Sequence, residues 1–186
     1  GALYHDVGKL HAPNWFIENQ DGSKNPHDEI DDPLKSAEVL QAHVDEGLKF
    51  ARRNRLPKPI ANFIPEHQGT LKMGYFLHKA EEKKLNFKES DFRYKGPIPQ
   101  SKETAILMLA DGCEAALRAM NINASDKEAL KTISKIVNSR QIDGQLDDCN
   151  LSKGEIFLIK KSFLNVWKRI RHRRIQYPTS KNNTFY

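Results

Sequence analysis

His5 and Asp6, in the run Ala2-Leu-Tyr-His-Asp-Val-Gly-Lys9, set an imidazole and a carboxylate on adjacent residues. Three further groups fall where a soluble helix normally hides apolar side chains. His43 borders the stripe Ala37, Leu40, Val44, Leu48 and Ala51. His67 follows Ile60, Phe63 and Ile64 at helical spacing, and Asp111 follows Leu107 and Met108 in the same way. A carboxylate on a buried face loses several kcal/mol of solvation, roughly, unless a partner compensates it. A metal ion does so, and mixed imidazole and carboxylate donors suit iron, manganese or zinc. His5, Asp6, His43, His67 and Asp111 are therefore the candidate metal ligands. Asp6 is placed to bridge two ions, and Lys9, one turn further on, to meet a phosphate.

Helices must position these groups. The hydrophobic period is near 3.6 almost throughout, and no useful length of strand-like alternation occurs. The expectation is a helix end at 1–9, then an irregular stretch to about residue 32 whose Trp15-Phe16-Ile17 tucks onto the core. Asp32-Pro33 opens a helix to about Arg53. Leu56-Pro57 starts another that ends near His67, with Gly69 as stop signal. A further helix is predicted over 71–85, and a second long loop over 86–100. Ser101 caps a long apolar helix to Met120. The pairs Ser125 with Glu128 and Ser152 with Glu155 are capping boxes for the last two helices. Two loops of this length in a compact helical domain point to function.

Composition narrows the class. The chain has 186 residues, 38% hydrophobic and 29% charged, enough for one domain with a sizeable core. No apolar run approaches the roughly 18 residues of a membrane span, and the first residues carry no signal-peptide pattern. Two cysteines, Cys113 and Cys149, are too few for a disulfide framework; Cys113 reads as a small core residue in a reducing setting. The net charge of +6 owes much to Lys168-Arg-Ile-Arg-His-Arg-Arg174. That run favours an anionic partner, or simply complements the end of a helix dipole. It lacks the interleaved aromatics that stack bases, which argues against nucleic acid.

Each feature also has a plainer explanation. A histidine on an apolar stripe can be a satisfied core residue, and a mid-helix aspartate can pair with an arginine. His27-Asp28 follows Asn25-Pro26 and reads as a local turn or cap. In Phe92-Arg-Tyr-Lys-Gly-Pro97, Arg93 can pair with a phosphate and Tyr94 can stack on a base, or the aromatics pin the loop to the core. The metal reading rests on several such positions coinciding.

The order of the motifs resembles a known family. His5-Asp-Val-Gly-Lys9 is similar to the signature of the HD-domain metal-dependent phosphohydrolases. Tyr4-His-Asp-Val-Gly-Lys9, Phe16-Ile-Glu-Asn-Gln20, Asn25-Pro-His-Asp28, Ala42-His-Val44, His67-Gln-Gly-Thr70, Phe92-Arg-Tyr94 and Leu107-Met-Leu-Ala-Asp111 together resemble the cytoplasmic HD domain of seven-transmembrane HD proteins, the PgpH-type cyclic di-AMP phosphodiesterases. The resemblance runs over residues 1–178, leaving 179–186 as a polar tail.

That resemblance implies an all-α fold, an HD-domain helical bundle with two long irregular loops, its first helix missing from the fragment. It implies two divalent ions, iron or manganese, held by His5, Asp6, His43, His67 and Asp111. It implies hydrolysis of cyclic di-AMP to pApA by metal-activated water, with Asp6 and Lys9 in catalytic roles and Lys9, Arg93 and Tyr94 meeting substrate. Upstream transmembrane and sensor regions would tether the domain to the inner face of the cell membrane for second-messenger signalling. Two departures stand out. A ligand histidine is expected before the doublet, upstream of residue 1. At residue 68, where the family is expected to have a ligand histidine, this chain has Gln68, a weaker neutral donor. A non-catalytic cyclic-dinucleotide sensor and a phosphohydrolase for another nucleotide are the alternatives. Gln68→His is expected to raise metal occupancy and turnover, measured by metal analysis and product formation; no gain would mean that the site works with the amide or with water.

Overall fold

A computed structural model describes residues 1–20 and 25–172. Among them the architecture is all-helical, and strand geometry is limited to one isolated bridge between Lys72 and Arg93. The helices are α1 (Pro26–Ile30), α2 (Pro33–Arg53), α3 (Lys58–Ala61), α4 (Phe63–Glu66), α5 (Gly74–Glu82), α6 (Lys102–Arg118), α7 (Asp126–Ile142) and α8 (Lys153–His172). The tail at 179–186 and residues Arg173 and Arg174 lie outside the described residues.

The capping signals give the expected starts. Asp32 accepts from the Lys35 N–H at 3.1 Å with Pro33 at the first helical position. Ser101, Ser125 and Ser152 accept from the N–H three residues on, at 3.2–3.3 Å. Glu128 and Glu155 return the bond to the cap N–H at 2.7 and 2.9 Å.

Other boundaries differ from expectation. Residues before Val7 form successive turns, and Val7–His11 is a 3-10 helix, not the end of an α-helix. The tighter winding stacks residues three apart, which brings Lys9 over Asp6. The helix expected up to His67 is two short ones. Pro65 has no N–H to give the Ala61 carbonyl, so the α ladder breaks at Asn62. The helix expected from residue 71 starts at Gly74. Residues 71–73 instead run extended beside 92–94, with Met73 N donating to Phe92 O at 2.8 Å and Tyr94 N to Leu71 O at 3.0 Å. Of Trp15-Phe16-Ile17 only Phe16 is buried; Ile17 is 73% exposed.

Two apolar clusters hold the bundle. One joins α6, α7 and α8 through Ala105, Leu109, Cys113, Ile133, Val137, Ile156 and Ile159. The other joins α2, α5 and the loop before α6 through Ala37, Met73, Phe76, Ala80 and Phe92. Cys113 and Cys149 are both buried free thiols within the first cluster. The 3-10 turn at Val7–His11 packs on α2 by direct backbone approach. A Cβ on Gly8 would lie 1.7 Å from His43 O, so only glycine fits there. Leu109 is fully buried. Leu109→Ala is expected to lower unfolding free energy by about 2–5 kcal/mol in urea denaturation, the range for an emptied core leucine site.

Candidate metal centre

Asp6 is the hub. Its Oδ1 lies 3.3 Å from His67 Nε2 and 3.6 Å from His43 Nε2; its Oδ2 lies 3.2 Å from His5 Nε2 and 2.8 Å from Lys9 Nζ. Donor atoms of His5, Asp6 and His67 all fall within 4.8 Å of one another. His43 and His67 are buried, whereas His5 and Asp6 are half-buried at the mouth.

Each imidazole is oriented from behind. His5 Nδ1 pairs with Ala2 O at 2.7 Å, His43 Nδ1 with Leu40 O, and His67 Nδ1 with Ile64 O at 2.7 Å. A carbonyl can only accept, so every Nδ1 carries the proton and every neutral ring turns an Nε2 lone pair toward Asp6. The ring edges of His5 and His43 both approach His67, with centroids 4.8 and 5.6 Å apart. Anchoring through Nδ1 is the arrangement that fixes metal-ligating histidines.

Lone pairs facing a carboxylate repel unless a proton or another cation stands between them. Burial pushes the His43 pKa down to about 4, so this ring is neutral at neutral pH. Its Nε2, His5 Nε2 and Asp6 Oδ1 are buried without hydrogen-bond partners. Two donors each about 2.1 Å from one ion lie about 3.0–3.4 Å apart, close to the spacings around Asp6. The residues present therefore fit a bound divalent ion. Burial would raise the Asp6 carboxyl, but His5, His67 and Lys9 around it hold it well below the usual carboxylate range.

The remaining candidates sit differently. Asp111 is half-buried on α6, and its charge acts on His5 and Tyr94, but its carboxylate lies outside the tight group. Gln68 Nε2 donates to His67 Nε2 at 3.0 Å and so occupies the lone pair a metal would use. Lys9 bridges Asp6 and Glu18, with its ammonium 5.0 Å from the Phe16 ring centroid. Glu18 was not singled out by spacing; it lies on a 3-10 turn that no helical period marks.

Arg93 does not face the centre as a free cation. It donates to Glu89 at 2.8 Å, to Thr70 O at 2.9 Å, and through both terminal nitrogens to Asp143 at 3.1 and 3.3 Å. Tyr94 packs with the α2–α5 cluster, edge-on to His43 at 5.9 Å, and burial pushes its phenol well above the ordinary tyrosine range. These contacts hold the loop against α2, the corner after His67 and the connection after α7. His27 and Asp28 lie in the first turn of α1, which Asn25 caps, and the His27 ring is buried, its Nε2 on Trp15 O at 3.0 Å and its ring against Phe76. In the basic run, Lys168 pairs with Asp126 at 2.5 Å, and Arg171 lies over Trp167 and donates to Ala124 O and Ile122 O.

A helical bundle that seats a His-Asp doublet against histidines from two other helices defines a class, and comparison agrees. Residues 1–116 match the HD domain family, and the chain belongs to it. Among relatives, it is 47% identical over 183 residues to the uncharacterized protein slr0104 of Synechocystis sp., covering 96% of this chain and 22% of that protein. It is 39% identical over 178 residues to the cyclic-di-AMP phosphodiesterase PgpH of Bacillus subtilis, covering 96% of this chain and 25% of that one. The crystal structure of the L. monocytogenes PgpH HD domain in complex with cyclic di-AMP superposes with a TM-score of 0.86 at 35% identity, covering 90% of this chain and 78% of that one. The chain thus spans about a quarter of the length of its curated relatives. No helix among the described residues is long and apolar enough to cross a membrane.

Protonation of His5 competes with metal binding. Burial works against its imidazolium, but Asp6, the Ala2 carbonyl and the charge of Asp111 outweigh it and raise the pKa above the ordinary 6.5. The proton must leave before Nε2 can ligate, so Mn2+ affinity is expected to fall as pH drops through the raised His5 pKa. Calorimetric titration from pH 8 to 6 checks this; a flat profile would remove His5 from the ligand set.

Proposed function

We propose that this chain is the hydrolytic domain of a metal-dependent phosphodiesterase that opens cyclic di-AMP to the linear dinucleotide pApA. The observation that carries the reading is the convergence of three backbone-anchored imidazoles on the carboxylate of Asp6, with His43 too poor a base to hold a proton there. Similarity to a domain solved with cyclic di-AMP supports the substrate class. The donor set would suit two divalent ions, iron or manganese, for which His5, Asp6, His43, His67 and Asp111 would be the ligands. An upstream membrane-spanning and sensor portion of a longer protein would carry this domain on the cytoplasmic face.

Divalent ions held there would supply Lewis acidity to the scissile phosphate and acidify a water molecule. The protein supplies the rest. His43 and His67 fix the deep side of the centre through their carbonyl anchors. Burial opposes the Lys9 ammonium, but Asp6 and Glu18 outweigh it and raise its pKa, so it stays a cation while the site works. A phosphate arriving at Asp6 meets that ammonium within one side-chain swing, and Glu18 retains it between turnovers. Lys9, not Arg93, is the cation we assign to substrate phosphate.

One observation favours a second reading, a binding module that senses the cyclic dinucleotide without cutting it. Gln68 donates to the very lone pair on His67 that a second ion would need. Incubation with Mn2+ or anaerobic Fe2+ and cyclic di-AMP, followed by chromatography, separates the two. Metal-dependent pApA is the expected product; intact substrate with measurable binding would favour the sensor. Asp6→Ala is expected to abolish both hydrolysis and Mn2+ binding. Unchanged turnover in that variant would remove Asp6 from the mechanism.

A further inference from the structure

The corner that follows His67 is held from outside the metal centre. Gly69 adopts φ +52°, and a Cβ there would lie 2.4 Å from Gln145 Oε1 and 2.7 Å from Met108 Cε. Every polar atom of Thr70 is engaged. Its N–H donates to Gln145 Oε1 at 3.0 Å, its hydroxyl accepts from Gln145 Nε2 at 2.8 Å, and its carbonyl accepts from Arg93 at 2.9 Å. Gln145 Nε2 also donates to Asp143 Oδ2 at 3.0 Å, and Asp143 in turn takes the Arg93 fork. Gln145 is fully buried, on the connection between α7 and α8 and 75 residues from the atoms it holds.

The corner contains Gln68. Its carbonyl accepts from Leu71 N at 3.0 Å, and the Gly69 N–H beyond it donates to Pro65 O at 3.0 Å. The backbone on either side of Gln68 is thus fixed by atoms that touch no metal ligand, while its side chain reaches His67 Nε2. His67 itself hangs from the carbonyls of α4 and does not need this support. We propose that Gln145, with the Arg93–Asp143 pair, is a positioning brace that sets where Gln68 presents its carboxamide to the metal ligands. The inference rests on the metal reading above, and it gives Arg93 a positioning role in place of substrate contact.

Mn2+ binding to the whole chain, measured by calorimetry without substrate, tests it. Gln145→Ala is expected to weaken Mn2+ by at least about tenfold, the scale of losing an outer support at a metal site. Asp143→Asn, which keeps the side-chain shape at a half-exposed position, is expected to weaken it in the same direction and by less. Val137→Ala, in the buried core of α7, is the control: it lowers the melting temperature and leaves Mn2+ affinity unchanged. In a Gln68→Ala background, Gln145→Ala is expected to add nothing further, because the two act through one group. Wild-type affinity in both folded brace variants, or additive losses with Gln68→Ala, would overturn the brace alone. A parent chain that binds no Mn2+ would overturn the metal reading, and the brace with it.

Discussion

A carboxylate ringed by imidazole nitrogens is costly to bury, and the structure is organised around supporting that arrangement at Asp6. Desolvating one carboxylate costs roughly several kcal/mol, and turning neutral nitrogens toward it adds repulsion. The chain could relax this by rotating the rings, but each Nδ1 is bonded to a backbone carbonyl and each ring is packed. The strain is therefore held in place until a cation relieves it. Lys9 relieves part, at Oδ2 only. Oδ1, facing the two deep histidines, has no partner.

The two apolar clusters explain how this is sustained. Each is complete on its own side of the molecule, one through α6, α7 and α8, the other through α2 and α5. The centre lies where the N-terminal turns meet α2 and the end of α4, with Asp111 of α6 outside the tight group. Close backbone approach replaces side-chain packing at this seam. Gly8 lies against the His43 carbonyl, and Gly47 faces Gly8 across the same contact. A methyl group at Gly8 would push Asp6 away from His43. Buried Glu66 contributes from the other direction. Its carboxylate accepts from Thr104 at 2.6 Å and from Gln100 N at 2.9 Å, tying the residue before His67 to the start of α6.

Much of this was legible in the sequence because it depends on local rules. The caps at Asp32, Ser101, Ser125 and Ser152 follow from side-chain oxygens one turn before acidic or free N–H groups. His43 and His67 were visible because imidazoles interrupt apolar stripes. What was not legible depends on distance in the chain. Arg93 reads in the sequence as a free cation, and only the fold brings Asp143 beside it, 50 residues away. Asp111 is half-buried on α6; helical period fixes a direction and not a depth, and the carboxylate lies outside the tight group. Gln145 carries no signal in its neighbours. Its role comes from the left-handed turn at Gly69, which leaves room for a carboxamide where any other residue would place a methyl carbon.

Gln68 turns these constraints into a chemical question about the centre. Its amide nitrogen now satisfies the His67 lone pair that faces Asp6. A cation entering there must take that lone pair, and the amide then loses its acceptor and finds a positive charge in its place. Rotation about the last side-chain torsion exchanges nitrogen for oxygen at almost the same position, so the same carboxamide could offer an acceptor to a cation there. The exchange needs no backbone movement, and hydrogen bonds hold the backbone at Thr70 in place. A carboxamide oxygen donates less charge than an imidazole nitrogen, so an ion held there is bound more weakly and withdraws electrons more strongly from whatever else it touches. If the centre holds an ion as proposed, Gln68 would lower its occupancy relative to an imidazole and would leave that ion a stronger Lewis acid.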